Sequence, residues 1–374
     1  METWSLIEAV DSQDRNLLVR FSGGVEAMFD YFWLRDHATD AGSYDSRSHQ
    51  RELFTAAIDK DVRPLAVTLA DDGSGIELRW PGSALPAFYG EDFLQSFRAP
   101  AGSAVQSLAG GIPWGGGRSV DAARYHFSRV AAEIDSLFEQ LVRNGFAIIT
   151  GCPTDERAVN AVAELLGGVQ STIFGEVWTF AADETRADSA YTPRELRPHT
   201  DATYSHDAPG LQMLLCCHYD AEGGESILVD GLAIFNVLKE ENADLLRALQ
   251  SVEVPGQYLG DGWHLKASRP VFRCDPVTGE LRQVSFNNYD RAPFRLTDEE
   301  MRRFYDGLGA FDAMANDPAR QWRYLLKPGE MMIFDNWRVL HGRGAFTGQR
   351  EMAGCYVSRE NFESRLRQRD QVCA

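Results

Sequence analysis

Residues 197–217 read RPHTDATYSHDAPGLQMLLCC. Two patterns meet in this stretch. His199 and Asp201 stand two apart, and on an extended strand positions i and i+2 project to one face. An imidazole and a carboxylate then converge on one point. Ten residues after Asp201, positions 211–217 form a short apolar run of strand length. Further runs of this kind lie at 226–229, 331–334 and 352–357. Helical spacing is rarer. Val130, Ile134, Leu137, Phe138, Leu141 and Val142 recur at 3–4 spacing and predict a helix over 122–144, ended by Asn144-Gly145. FAIIT (146–150) then reads as a buried strand. Thr154 is expected to cap a second helix reaching 167, and Thr297 with Glu300 forms a capping box for a third reaching about 309. A few helices among many short strands predict a mainly β protein, a barrel or sandwich with helical support.

Residues 1–98 read as a small β-rich unit. Runs at 16–21 and 25–33 flank Ser22-Gly23-Gly24, and runs at 65–69 and 76–80 flank a second turn, Asp71 to Gly75. Residues 99–120 include AGSAVQSLAGGIPWGGGRS (101–119), which has no periodicity and reads as a linker. Residues 121–374 form the second domain.

The chain has 374 residues with 37 Lys plus Arg and 55 Asp plus Glu, a net charge of −18. Such a chain repels phosphate backbones, so nucleic acid and anionic membrane surfaces are not expected as partners. None of the 6 cysteines falls in a C-x-x-C pair, and Cys216 with Cys217 reads as two buried free thiols. The N-terminal stretch lacks a signal-peptide pattern and no apolar run is long enough to span a bilayer, so a cytoplasmic location is expected.

A second histidine, His341, follows an apolar strand and the segment Asp335 to Leu340. Two imidazoles and one carboxylate on one face of a metal leave three positions open, the facial arrangement of non-haem Fe(II) oxygen chemistry. Beyond His341 lie Arg350 and Tyr356, whose even spacing lets them share one strand face. A guanidinium near such a metal suits a dicarboxylate that chelates the iron at one end and pairs through the other.

With these residues the chain resembles the Fe(II)/2-oxoglutarate oxygenases of the taurine dioxygenase superfamily, within them the γ-butyrobetaine hydroxylase group. The matching stretches are Trp33-Leu34-Arg35-Asp36, PHTDATYSHDAPGLQMLLC, GGESILVDG, DNWRVLHGR and GQREMAGCYVSRENFESRLR. The resemblance implies a double-stranded β-helix, or jelly roll, behind a small N-terminal domain. It implies His199, Asp201 and His341 as iron ligands. Arg350 and Ser226 would hold the far carboxylate of 2-oxoglutarate, with Arg343 favoured for a structural ion pair. It also implies dioxygen as cosubstrate, ascorbate as a stimulant, and a homodimer to which the amphipathic stretch Phe362 to Arg369 contributes.

The family's cage for a trimethylammonium group maps onto Phe174, Trp178, Tyr191 and Tyr356, where aromatic faces hold the cation. Packing of Phe174 and Trp178 on one helix face is the plainer alternative. The anionic end of the substrate would meet Asn287, Asn288 and Arg291. Two departures stand out. Asp188 replaces an asparagine that helps hold the substrate carboxylate in γ-butyrobetaine hydroxylases, and two carboxylates repel unless one is protonated. A singly protonated phosphonate would donate to Asp188, so the expected substrate is 2-(trimethylammonio)ethylphosphonate, hydroxylated next to phosphorus, with γ-butyrobetaine and trimethyllysine as alternatives. The stretch after Asp36 also lacks the family's cysteines. His37 and His49 alone cannot close a tetrahedral site, so no structural zinc is expected. Readings of another class are a non-catalytic betaine-binding module and a Zn or Mn isomerase or hydrolase.

Overall fold

The apolar runs of the second half become two facing sheets in the computed structural model, which describes residues 6–98, 110–116, 124–181 and 193–372. The backbone divides into two compact units, Met1–Ser103 and Ala104–Ala374.

In the second unit the larger sheet has six strands. In spatial order they are Val177–Ala181, Phe346–Val357, Leu211–Gly223, Met331–Asp335, Phe146–Thr150 and Arg124–His126. The smaller sheet runs Leu196–His199, Val339–Arg343, Ser226–Asp230 and Trp322–Tyr324. All pairings are antiparallel except that of Arg124–His126 with Phe146–Thr150. Side chains alternate across each strand, and each face has its own packing. Phe146, Ile148, Cys216, Met332, Phe334 and Met352 of the larger sheet meet Leu228, Trp322 and Val339 of the smaller. The opposite face of the larger sheet (Met213, Leu215, Ile333, Cys355) packs on helices Ile134–Asn144 and Glu156–Leu166 and on Phe362. Helices Gly231–Glu241, Ala243–Ser251 and Asp298–Ala315 cover the smaller sheet. This is a jelly roll with helical support, the fold class expected.

Several boundaries differ from the sequence reading. The helix expected over 122–144 begins at Ile134. Its expected first half is instead the strand Arg124–His126, paired in parallel with Ile148–Thr150, followed by turns. The second helix takes Asp155 as its cap rather than Thr154, through the Arg157 amide. The Thr297 capping box is present, and its helix runs on to Ala315. Part of the expected linker is docked: Trp114 is buried against Phe146, and its indole donates to the Asn144 carbonyl at 2.7 Å. Cys216 is buried as expected, but Cys217 is only half-buried because it points to the sheet's other face.

The first unit holds two three-stranded antiparallel sheets, Ile7–Ser12 with Asn16–Phe21 and Val25–Asp30, and Ala66–Leu69 with Gly75–Arg79 and Ala87–Gly90. The run expected to extend to Trp33 stops at Asp30, whose carboxylate caps helix Tyr31–Asp36. The loop beyond, where zinc cysteines are lacking, is tied by polar side chains. Arg35 donates to Ser43 Oγ at 2.7 Å and Ser43 to Asp40 at 2.7 Å, while Asp36 pairs with Arg51 and accepts from Thr55 at 2.8 Å.

Candidate active site

The site starts from a strand pair in the smaller sheet. His199 is the last residue of Leu196–His199 and lies directly opposite His341 of Val339–Arg343. Their ring centroids are 4.4 Å apart. Asp201 lies just past the strand end, where the chain turns sharply. Ala202 adopts φ +55°, a left-handed conformation that non-glycine residues rarely take. Strain of this kind persists only where the surroundings hold it, and here they do. Thr200 donates its backbone N–H to the Phe286 carbonyl at 2.7 Å and accepts the Phe286 amide on its hydroxyl at 3.0 Å. Asn336, 1% exposed, accepts the Asp201 amide at 2.8 Å and donates to the Asp201 and Pro209 carbonyls at 3.2 and 3.0 Å.

Asp201 Oδ1 then lies 3.4 Å from His199 Nε2 and 3.7 Å from His341 Nε2. One ligand atom from each of the three side chains falls within 4.8 Å of the others. The His199 Nδ1 sits 2.8 Å from the Arg197 carbonyl, so it carries the proton and Nε2 keeps its lone pair for a metal. Burial pushes the His341 imidazole down to about 3. Burial acts the same way on His199, but the hydrogen bond and charge of Asp201, with the Arg197 carbonyl and the charge of Asp290, together outweigh it and raise the pKa. Burial would raise Asp201; the neighbouring imidazoles and the Tyr356 hydroxyl overcome it and hold the carboxylate well below its usual range. An ionised acid beside imidazole nitrogens is the donor set that Fe(II) takes in facial sites.

Tyr356 links this triad to the aromatic side. Its hydroxyl donates to Asp201 Oδ2 at 2.8 Å, and its ring lies 5.6 Å from that of Trp178. Trp178 is on strand Val177–Ala181, not on a helix, so the helix-face alternative for Phe174 and Trp178 does not apply. The indole lies over Gly354, where a Cβ would stand 2.3 Å from Trp178 Cη2. Phe174 precedes the strand and meets Tyr258 edge-to-face at 5.9 Å; Tyr258 in turn lies 5.3 Å from Tyr204. Asp188 and Tyr191 fall outside the described residues.

Arg350 is 8% exposed, and among the described residues no acid pairs with it. Arg343 and Arg350 share the Phe346 ring, at 4.9 and 6.0 Å from its centroid. Burial, and then the charge of Arg350, bring Arg343 down to about 10. Its Nη2 donates to the Arg194 carbonyl at 2.9 Å. Buried Ser226 stands opposite Arg343 across the strand pair.

The asparagine region is divided. Asn287 is committed to Asp290, donating at 2.9 Å, and Asn288 is exposed. Asn288 and Arg291 border a cavity of about 480 Å³ that also touches His199, Tyr289 and Asp312. Sequence reading missed Asn336, Tyr204 and Tyr258. The signal for Asn336 was present, since Asp335, Asn336 and Arg338 are polar residues set between two apolar strands.

An open three-ligand site inside a jelly roll whose interior also holds the buried Arg350 fits a mononuclear non-haem iron oxygenase that uses a 2-oxo acid. The chain belongs to the taurine catabolism dioxygenase TauD, TfdA family, whose model matches residues 111–356, and the γ-butyrobetaine hydroxylase-like N-terminal model matches residues 9–94. A mitochondrial trimethyllysine dioxygenase of Gallus gallus is 31% identical over 89% of this chain and 80% of its own length. The γ-butyrobetaine dioxygenase of Pseudomonas sp. (strain AK-1) is 30% identical over 93% of this chain and 92% of its own. Among solved structures, an asparagine oxygenase in complex with Fe(II), hydroxyasparagine and succinate gives a TM-score of 0.49 at 17% identity, covering 62% of this chain and 79% of that one. Among the described residues no helix is long and apolar enough to cross a membrane.

Proposed function

We propose that the enzyme hydroxylates an unactivated C–H bond of a small zwitterion bearing a trimethylammonium group. The observation that carries this reading is Tyr356, which touches Asp201 with its hydroxyl and Trp178 with its ring. It brings a cation-binding aromatic pair to the edge of the metal site. His199, Asp201 and His341 would hold Fe(II), which supplies the oxidising power when dioxygen and 2-oxoglutarate are bound. Arg350 would pair with the far carboxylate of 2-oxoglutarate, with Ser226 beside it. Trp178 and Tyr356, with Phe174 and Tyr191, would orient the cation, each desolvated ring worth up to about 2 kcal/mol. The chain's own contribution is position, since a misplacement of about 1 Å can cost about a hundredfold in rate. We take the acting unit to be a homodimer. Phe362 does not supply the contact, because it stacks on Phe138 of its own chain at 5.3 Å.

The finer reading is the phosphonate. Asp188 in the place of a carboxylate-binding asparagine supports 2-(trimethylammonio)ethylphosphonate, whose monoanion can donate to an acid. A second reading, trimethyllysine, is supported by the 30–31% identity to trimethyllysine dioxygenases and by simple charge pairing, because Asp188 would face an α-ammonium without needing a proton. Turnover of the two compounds and of γ-butyrobetaine by the purified Fe(II) enzyme, read by mass spectrometry of the hydroxylated products, separates them. Efficient phosphonate hydroxylation is expected. Turnover of γ-butyrobetaine or trimethyllysine alone would end the phosphonate reading, and turnover of none would end the trimethylammonium reading.

A further inference from the structure

Val254–Gly260 and Trp263–Arg269 form a two-stranded hairpin. Its base is pinned by backbone: the Gln257 amide donates to the Asp290 carbonyl and the Ala292 amide to the Pro255 carbonyl, both at 2.8 Å. Gly256 lies against the turn that follows Asp201, where a Cβ would stand 2.6 Å from the Thr203 carbonyl carbon. Positions two apart on a strand project to one face. Tyr258 therefore points to the side of that turn, while Leu259 points away and is exposed. The Tyr258 ring lies 5.3 Å from that of Tyr204 and 5.9 Å, edge-to-face, from that of Phe174. Its hydroxyl donates to Asp261 Oδ2 at 3.1 Å, within the hairpin. Phe174 sits in a tight turn, Thr172 to Gly175, in which its amide donates to Thr172 Oγ1 at 3.2 Å. Such a turn fixes the backbone and leaves the ring to choose its rotamer. Among the described residues no aromatic ring other than that of Tyr258 meets it.

We propose that Tyr258 is a positioning residue that selects the substrate's cation: its ring holds Phe174 edge-to-face, and Phe174 so held limits the size of the ammonium group that the cage admits. Aromatic pairs favour this arrangement at centroid separations of about 4.5–7 Å. A cation is attracted over the face of a ring, within about 6 Å of its centroid, so the attraction depends on how the Phe174 ring is turned. Tyr204 backs the Tyr258 ring, and the pinned hairpin base fixes the backbone that carries it. Phe174, Tyr258 and Tyr204 thus form a row of three rings that ends beside the Asp201 turn.

This inference rests on the trimethylammonium reading of the site and on Phe174 as one of its rings. Its test uses the full-length Fe(II) enzyme and whichever of 2-(trimethylammonio)ethylphosphonate, trimethyllysine and γ-butyrobetaine it hydroxylates, together with the triethylammonium analogue of that compound. Tyr258→Ala should raise KM for the trimethylammonium compound about tenfold and change kcat less than about twofold, the mark of lost binding rather than lost chemistry. Its preference for that compound over the larger analogue should fall at least about fivefold. Tyr258→Phe keeps the ring and should bring both values back to within about twofold of the parent. Should the alanine variant fail to fold, Tyr258→Leu, which keeps apolar bulk without a flat ring, replaces it with the same expectations. The visible band of the anaerobic Fe(II)–2-oxoglutarate complex should not move, whereas a hairpin that only supports the Asp201 turn would move it. An unchanged preference in Tyr258→Ala would overturn the proposal, as would loss of the band or a Tyr258→Phe enzyme that behaves like Tyr258→Ala. A parent enzyme that hydroxylates none of the three compounds would instead overturn the reading of the site itself.

Discussion

His199 and His341 are direct partners across an antiparallel strand pair, so the spacing of the two candidate ligand imidazoles is set by backbone hydrogen bonding rather than by loop conformation. The pair is close because Gly342 has no side chain: a Cβ there would stand 2.5 Å from the Leu196 carbonyl oxygen and 3.1 Å from Pro198 N. Gly342→Ala should wedge the two strands apart and separate the rings. Fe(II) affinity should fall at least tenfold while the far-ultraviolet circular dichroism is kept. Titration with Fe(II) under argon measures it, and unchanged affinity would show that the triad does not depend on this register.

Asn336 holds the backbone on both sides of the Asp201 carboxylate through its three hydrogen bonds. Asn336→Ala strands a buried amide and two carbonyls, at a cost of about 1–3 kcal/mol. Because Ala202 is held in a strained conformation next door, the turn should relax as well. Metal affinity should drop about 10- to 100-fold, the range seen when residues that orient ligands are lost. Thermal melting with and without Mn(II) reads both effects.

Acidity should act through His199. Its pKa is raised above 6.5 by Asp201, whereas His341 stays neutral down to about 3 and Asp201 stays ionised. In the metal-free protein the His199–Asp201 pair therefore contributes stability that is complete below pH 6.5 and is lost as pH rises through the raised pKa. Metal binding needs the neutral imidazole, so it releases a proton from His199 in that window. The melting-point gain on adding Mn(II) should shrink as pH falls below neutrality, and calorimetry in two buffers should show proton release on binding. A gain independent of pH between 6 and 8 would contradict this assignment.

Gly354 gives Trp178 its place against the sheet. Gly354→Ala should push the indole off its position beside Tyr356. KM for the trimethylammonium substrate should rise about tenfold, and the band of the anaerobic Fe(II)–2-oxoglutarate complex should not change. Loss of that band would mean that the variant damages the metal site rather than the substrate side.

The grouping of His199, Asp201 and His341 was legible in the sequence from the two-residue spacing and from His341 following an apolar strand, although Asp201 lies past the strand end rather than on the strand face that the spacing suggested. The strands were legible as short apolar runs. Their full lengths were not: Leu211–Gly223 and Phe346–Val357 each continue as half-polar ribbons beyond the apolar part. The helix expected over 122–144 failed in its first half because Arg124–His126 finds a strand edge to join, a tertiary choice that local periodicity does not contain. Arg338 and Asp230, a fully buried ion pair at 2.9 Å, are likewise far apart in sequence and joined only by the fold.

The most direct test of the account is the anaerobic addition of Fe(II) and 2-oxoglutarate to the purified protein, followed in the visible spectrum. The account predicts a charge-transfer band from the chelated 2-oxo acid at one iron per chain, absent from Asp201→Ala and from His341→Ala. A parent protein without the band, or a band that survives both substitutions, would contradict the claim that His199, Asp201 and His341 hold the iron.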